Sequence, residues 1–201
     1  MSKKLNFCRI LPIICLVFLN ACATTQFDSV WKDETYQGGP LKRVLIIGVA
    51  TKPEIGRYFE EIFTQQLKTR GVDAVPSNIV FAESEMLKKE TFLIKIKELK
   101  IDSVLFTKLA GIKDAGTYET STTSISRDGY YGYYSQRYQT VSLGYNIVLI
   151  TRICDAKSEN LIWSALSETV LEGSIESVID SFIPAIMKQL EEGKLIPKIT
   201  G

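Results

Sequence analysis

The side chains able to do chemistry are few, and their spacing suits few mechanisms. The 201-residue chain contains no histidine. A Ser-His-Asp or Cys-His relay therefore cannot be assembled, and the imidazole ligands usual at zinc and copper sites are missing. Ser29-Val30-Trp31-Lys32 has the Ser-x-x-Lys spacing of some serine hydrolases, but the companion motifs of those enzymes are absent. Trp31 is expected instead to anchor this segment against the folded domain. Glu60-Glu61 is expected on the solvated side of a helix, and Glu83 and Glu85 near a helix start. Glu119 and Glu168 would meet only if the fold paired their strands. None of these pairs predicts a convergent acid/base site. Gly48 and Gly56 flank a strand-to-helix turn of the kind that cradles phosphate in nucleotide-binding folds. The connection reads Gly-Val-Ala-Thr-Lys-Pro-Glu-Ile-Gly, which is neither a Gly-x-Gly-x-x-Gly nor a Walker pattern. Thr51 and Lys52 are thus expected to cap a helix rather than hold an anion. No catalytic residue, metal ligand set or cofactor is predicted.

Binding chemistry is more visible. Tyr130, Tyr131, Tyr133, Tyr134 and Tyr138, five of the nine tyrosines, lie between Arg127 and Gln139 together with Gly129, Gly132 and Arg137. Tyrosine mixed with glycine and arginine is the composition of adaptable recognition surfaces, where rigid amphipathic rings give contact area at low entropic cost. The opposing account is a long hairpin tip with no partner, or one folded back on its own domain. Lys+Arg number 24 against 23 Asp+Glu, so the chain is not a general nucleic-acid binder.

The first segment is an address. Lys3, Lys4 and Arg9 precede an apolar run from Ile10 to Leu19, closed by Leu19-Asn20-Ala21-Cys22. A run of about ten apolar residues is roughly half of what a membrane-spanning helix needs, and its flanks are those of a secretory signal. The cysteine directly after Leu-Asn-Ala resembles the lipobox of bacterial lipoproteins. That resemblance implies cleavage before Cys22, a diacylglyceryl group on its thiol and an acylated amino terminus. Ala23 follows it rather than Asp, which by the same resemblance implies the outer membrane, facing the periplasm. Removing residues 1–21 takes away three of the 24 basic residues and none of the 23 acidic ones, leaving a net charge of −2. Cys8 and Cys15 leave with the signal, Cys22 carries lipid, and only Cys154 remains. An intramolecular disulfide is then impossible, and Cys154 reads as a small buried core residue.

The elements that must position these residues follow from periodicity. Residues 22–40 read as a lipidated tether of about 60 Å at roughly 3.3 Å per residue, with only its aromatic second half docked. Val44–Ala50 is an unbroken apolar run suited to a central strand covered on both faces. Thr51-Lys52-Pro53-Glu54 predicts a capping box, and Ile55, Phe59, Phe63 and Leu67 predict the helix it starts, ended by Gly71. A short strand at Val72–Val75, a helix near Lys89–Leu99 and a strand at Asp102–Leu109 complete a βαβαβ unit, with parallel pairing and right-handed crossovers. Val141, Leu143, Tyr145, Ile147, Leu149 and Ile153 alternate along a half-buried antiparallel strand, with Leu161–Leu171 as its partner. Ser174 caps a last helix that Pro184 should kink or split. The expected architecture is one α/β domain over 41–201: a mixed sheet with packed helices, and the 127–139 loop projecting from it.

Trp31-Lys32-Asp33, Tyr36-Gln37-Gly38-Gly39-Pro40, Val44–Ala50 and Leu161-Ile162-Trp163-Ser164-Ala165, following the lipobox, resemble a group of bacterial lipoproteins with a tyrosine-rich insertion after the third strand. The wider fold is similar to the α/β domains of the curli-export lipoprotein and of the amino-terminal part of the Tol-system propeller protein. The resemblance implies lipidation at Cys22 and carries over no established activity. The reading that results is a non-catalytic, lipid-anchored accessory module of the envelope, bound to the membrane through Cys22 and to an envelope protein or glycan through the tyrosine loop. A subunit of an oligomeric envelope assembly is the alternative, and a carboxylate or Ser/Lys hydrolase a more distant one.

Overall fold

The computed structural model describes residues 25–86, 88–113, 146–171 and 174–199. Six strands form one mixed sheet: β1 (Thr25–Lys32), β2 (Arg43–Val49), β3 (Asp73–Pro76), β4 (Ser103–Lys113), β5 (Asn146–Asp155) and β6 (Leu161–Val170), in the order β1-β6-β5-β4-β2-β3. The helices are α1 (Pro53–Lys68), the short α2 (Ser77–Val80) and α3 (Glu83–Met86), α4 (Lys89–Glu98) and α5 (Ile175–Glu192). The expected α/β class, parallel first half and antiparallel second half are all present. β2 pairs in parallel with β3 on one side and β4 on the other, while β4-β5, β5-β6 and β1-β6 are antiparallel.

The parallel unit explains the layers. β3 and β4 lie on opposite sides of β2, so two right-handed crossovers deliver their helices to opposite faces of the sheet. β2 is therefore buried on both faces. Val44 and Ile46 enter one core with Phe59, Phe63 and Leu67 of α1 and Phe182, Ile183, Ile186 and Leu190 of α5. Leu45 and Ile47 enter the other with Phe81, Met86, and Phe92 and Ile96 of α4. The alternation read for β5 holds only in part over its described residues: Ile147 and Ile153 are buried, but Leu149 is half-buried. Val148 and Cys154, on the opposite face, are buried too, so β5 carries core residues on both faces where a half-buried strand was expected. Residues 141–145 lie outside the described residues.

Three helices end alike. The amides of Val72, Ile101 and Leu195 reach back to the carbonyls of Leu67, Ile96 and Leu190 at 2.9–3.1 Å, around a left-handed residue: Gly71 at φ 77°, Lys100 at φ 54° and Lys194 at φ 56°. This closure satisfies the last carbonyls of each helix. Glycine marks it in the sequence only after α1.

Local expectations fail at three places. The capping box does not form, because the N-cap of α1 is Lys52, which makes no side-chain cap bond, and Pro53 opens the helix instead. Ser174 does cap α5, accepting from the Ser177 amide at 3.3 Å. Pro184 does not split α5, which runs on to Glu192; burial of Phe182, Ile183, Ile186 and Met187 around it outweighs one lost backbone bond. The third concerns the segment read as a tether. Its first half, Thr25–Lys32, is strand β1, paired along β6 with a bulge between Phe27 and Ser29. β1 has few apolar residues, so its sequence did not announce a strand; the ladder offered by β6 recruits it.

Candidate functional site

The strand directions bring the informative positions to one end of the sheet. Here β1 begins at Thr25 beside Thr169 of β6, and β4 ends at Lys113 beside Asn146, where β5 begins. β2 and β3 end here too, leading into α1 and α2, and α5 starts here after Ser174. In open α/β sheets this carboxyl end of the parallel strands, where crossovers diverge to opposite faces, is where ligands bind. The segment with Arg127, Tyr130, Tyr131, Tyr133, Tyr134, Arg137 and Tyr138 joins Lys113 to Asn146 and lies outside the described residues, as does Cys22.

The crevice between β2 and its helices is closed by Glu60. Its carboxylate, 3% exposed, accepts four hydrogen bonds. Oε1 takes them from the Gly48 amide at 3.0 Å and Ser77 Oγ at 2.6 Å. Oε2 takes them from the amide and Nδ2 of Asn78, at 2.9 and 2.8 Å. Burial raises the Glu60 carboxyl above the ordinary carboxylate range, against the pull of these donors. This corrects the solvated-face reading of Glu60-Glu61: Glu61 is exposed and Glu60 is not. The signal was in the spacing. Gly56, Phe59, Glu60, Phe63, Thr64 and Leu67, all buried, form one i, i+3, i+4 stripe. With every carboxylate lone pair directed at a fixed donor, Glu60 ties the end of β2 to α1 and α2.

The flanking glycines belong to the same closure. A Cβ on Gly48 would lie 2.8 Å from Phe59 Cδ1 and 2.9 Å from the Gly56 carbonyl oxygen, and one on Gly56 would lie 2.7 Å from the Gly48 oxygen. The two glycines let helix and strand backbones touch, and the space a phosphate would need is filled by protein.

Ser29 and Lys32 do not converge. Ser29 is paired with Leu166, whereas Lys32 is paired with Trp163; residues three apart on a strand point to opposite faces. Lys32 Nζ donates instead to the Gly193 carbonyl at 2.8 Å, at the end of α5. Trp31 is 49% exposed and Val30 is 44% exposed; the segment is held to the domain by the β1–β6 ladder, in which Trp31 pairs with Ser164, and the Trp31 side chain is only half covered. The buried tryptophan is Trp163, at 1%. Val30, Trp31, Lys32, Asp33, Glu34 and Tyr36 line a shallow surface concavity along this edge.

Other polar groups are accounted for by structure. Glu85 accepts from the Ala82 amide at 2.8 Å and from Lys95 Nζ at 3.1 Å, capping α3. Glu168 accepts from Asn146 Nδ2 at 2.5 Å. Lys108 and Arg152 are diagonal neighbours on one face of β4 and β5. Burial, then the Arg152 charge, lowers the Lys108 ammonium to about 8. The sequence reading missed this pair, because a lysine inside an apolar strand gives no periodic signal. Cys154 is 5% exposed, and burial pushes its thiol up to about 12, so it is the inert core residue expected. Among the described residues no group of three or more His, Cys, Asp or Glu is placed to hold a metal ion, and no helix is long and apolar enough to cross a membrane.

No protein-family model and no curated protein matches the chain. Among solved structures it is similar to two PelC dodecamers from Paraburkholderia phytofirmans, one of them a single-substitution variant. The variant is 15% identical with a TM-score of 0.46, the other 15% identical with a TM-score of 0.44; each match covers 85% of this chain and 99% of the other. It is also similar to the lipoprotein GNA1162 from Neisseria meningitidis, at 11% identity and a TM-score of 0.41, over 75% of this chain and 96% of that one. With TM-scores below 0.5, a functional reading has to rest on the chain's own residues.

Proposed function

We propose that the chain is a lipid-anchored, non-catalytic accessory module of the bacterial cell envelope. Cys22 carries the lipid, Ala23 directs it to the outer membrane facing the periplasm, and a second envelope component, protein or glycan, is bound through the segment with Tyr130, Tyr131, Tyr133, Tyr134 and Tyr138, flanked by Arg127 and Arg137. The supporting observation is the ladder pair Lys113–Asn146. The tyrosine-rich segment is an insertion between two neighbouring strands, so the six-stranded sheet closes its ladder without it. Such an insertion is free to be selected for recognition rather than for folding.

A photo-crosslinking residue at Tyr133 of the anchored protein in intact cells tests the binding role. One dominant protein adduct, or a glycan adduct, supports it, and no adduct removes it. Deleting residues 128–138 should leave the unfolding midpoint within about 1 kcal/mol of the parent in stability terms; loss of the folded domain would make the segment structural. Cys22→Ser should release the chain from membranes, since several acyl chains at about 0.8 kcal/mol per buried methylene supply the anchorage. A variant that stays bound would remove the lipid reading.

A second reading, a subunit of an oligomeric envelope assembly, is favoured by one observation. Among the described residues β1 has a strand on one side only, and it exposes Val30 and Trp31. An unprotected edge is a template for another chain, although the bulge at Phe27/Ser29 blunts part of it. A monomer on gel filtration at micromolar concentration would count against this reading.

A further inference from the structure

We propose that the sheet end formed by the start of β1, the β2–α1 turn, α2 and the start of α5 lies against the phospholipid surface. This rests on lipidation at Cys22. Three residue steps separate Cys22 from Thr25, at most about 11 Å of extended chain. Thr25 is the first residue of β1, 8% exposed, and its Oγ1 hydrogen-bonds Thr169 Oγ1 at 2.7 Å. The acylated cysteine sits at the headgroup boundary, so the short connection brings this end of the domain to the lipid. A tether reaching to residue 40 would have allowed free tumbling; inclusion of β1 in the sheet removes that freedom.

The same end carries surface suited to the headgroup region. Ile79 of α2 is 76% exposed and Ile175, the first residue of α5, is 37% exposed. Lys52, in the β2–α1 turn at the same end, is exposed as well. Exposed isoleucines insert among headgroups and a lysine meets phosphate. Glu54 and Glu176 are exposed nearby, so the apolar contacts and the lipid dominate over charge. The remote end, at the β5–β6 turn, is nine strand steps farther along β5, roughly 30 Å away. The competing arrangement lays the β1 edge flat on the lipid; there Asp28 and Glu34, both exposed, would accompany Val30 and Trp31.

The test uses the full lipidated protein in vesicles of phosphatidylethanolamine and phosphatidylglycerol. Ile79→Cys, Ile175→Cys, Trp31→Cys and Ser158→Cys variants each carry an environment-sensitive fluorophore; native Cys154 is buried and serves as the unlabelled control. Headgroup nitroxide lipids should quench the labels at positions 79 and 175 at least about threefold more than the label at 158, with 31 between them. Strongest quenching at 31 would establish the edge-on arrangement and overturn the proposal, as would equal quenching at all four positions. A 12-residue Gly/Ser insertion after Thr24 should remove at least half of the difference, and an unchanged difference would overturn the role of the short connection. Flotation with the vesicles is scored separately: a chain that does not float overturns the lipid anchor and this orientation with it, whereas a floating chain with the wrong quenching pattern overturns the orientation alone.

Discussion

Replacing Glu60 tests whether the closed crevice is a structural lock. In Glu60→Ala, the Gly48 amide, the Asn78 amide and Asn78 Nδ2 lose their acceptor inside the fold, and Ser77 Oγ loses one as well. Donors left without a partner cost about 1–3 kcal/mol each. Relief of the buried charge and entry of water offset part of that, so a net loss of about 3–5 kcal/mol is expected. For a domain of this size that lowers the melting temperature by roughly 10 °C. Glu60→Gln should cost less, about 1–2 kcal/mol. Its carbonyl can serve both Asn78 donors and its amide can donate to a rotated Ser77 hydroxyl, which leaves the Gly48 amide opposed. The pH dependence separates the two forces acting on the carboxyl. Burial raises Glu60 in the folded chain, so the folded state binds its proton at a higher pH than the unfolded state does. Stability from this group is then greatest below its unfolded value, falls as pH rises to the raised folded value, and is flat above. Urea midpoints of parent and Glu60→Gln, taken from about pH 4 to about pH 7, should show the parent's advantage shrinking with pH. An advantage that grows with pH would mean that four donors outweigh burial. Equal stability of parent and Glu60→Ala would refute the lock itself.

The remaining expectations concern close contact, reactivity and exposure. Gly48→Ala should destabilise by about 1–3 kcal/mol, because its new methyl meets Phe59 and the Gly56 oxygen under 3.0 Å; thermal melts check this, and an unchanged melting temperature would deny the strand–helix contact. Cys154, with its thiol pushed up to about 12, should stay neutral and resist a water-soluble disulfide reagent at pH 8 until urea unfolds the chain. Rapid native labelling would place it at the surface. Trp31→Ala should change stability by less than about 1 kcal/mol, given its 49% exposure, whereas Trp163→Ala should cost about 3–5 kcal/mol; reversed sizes would mean that β1 is not seated as described.

What the sequence by itself determined is whatever depends on local pattern. The two-sided apolar run of β2, the stripe of α1 and the Ser174 cap are each encoded within a few residues, and local pattern alone assigns them. The lipobox proposed at Cys22 is likewise a local pattern, since a signal is read from an unfolded chain. Tertiary structure decided what depends on distant partners. Residues 25–32 have little apolar character, yet β6 offers them an open ladder, and unpaired backbone groups gain more from pairing there than from water. Trp31 and Trp163 have the same side chain, but one falls on an edge strand and the other in the core that α1 and α5 also line, so burial is assigned by neighbours that no local window contains. Glu60 lies between these cases. Its place on the buried stripe was legible, but a carboxylate is tolerated there only because Gly48, Ser77 and Asn78, from three separate segments, supply its four donors.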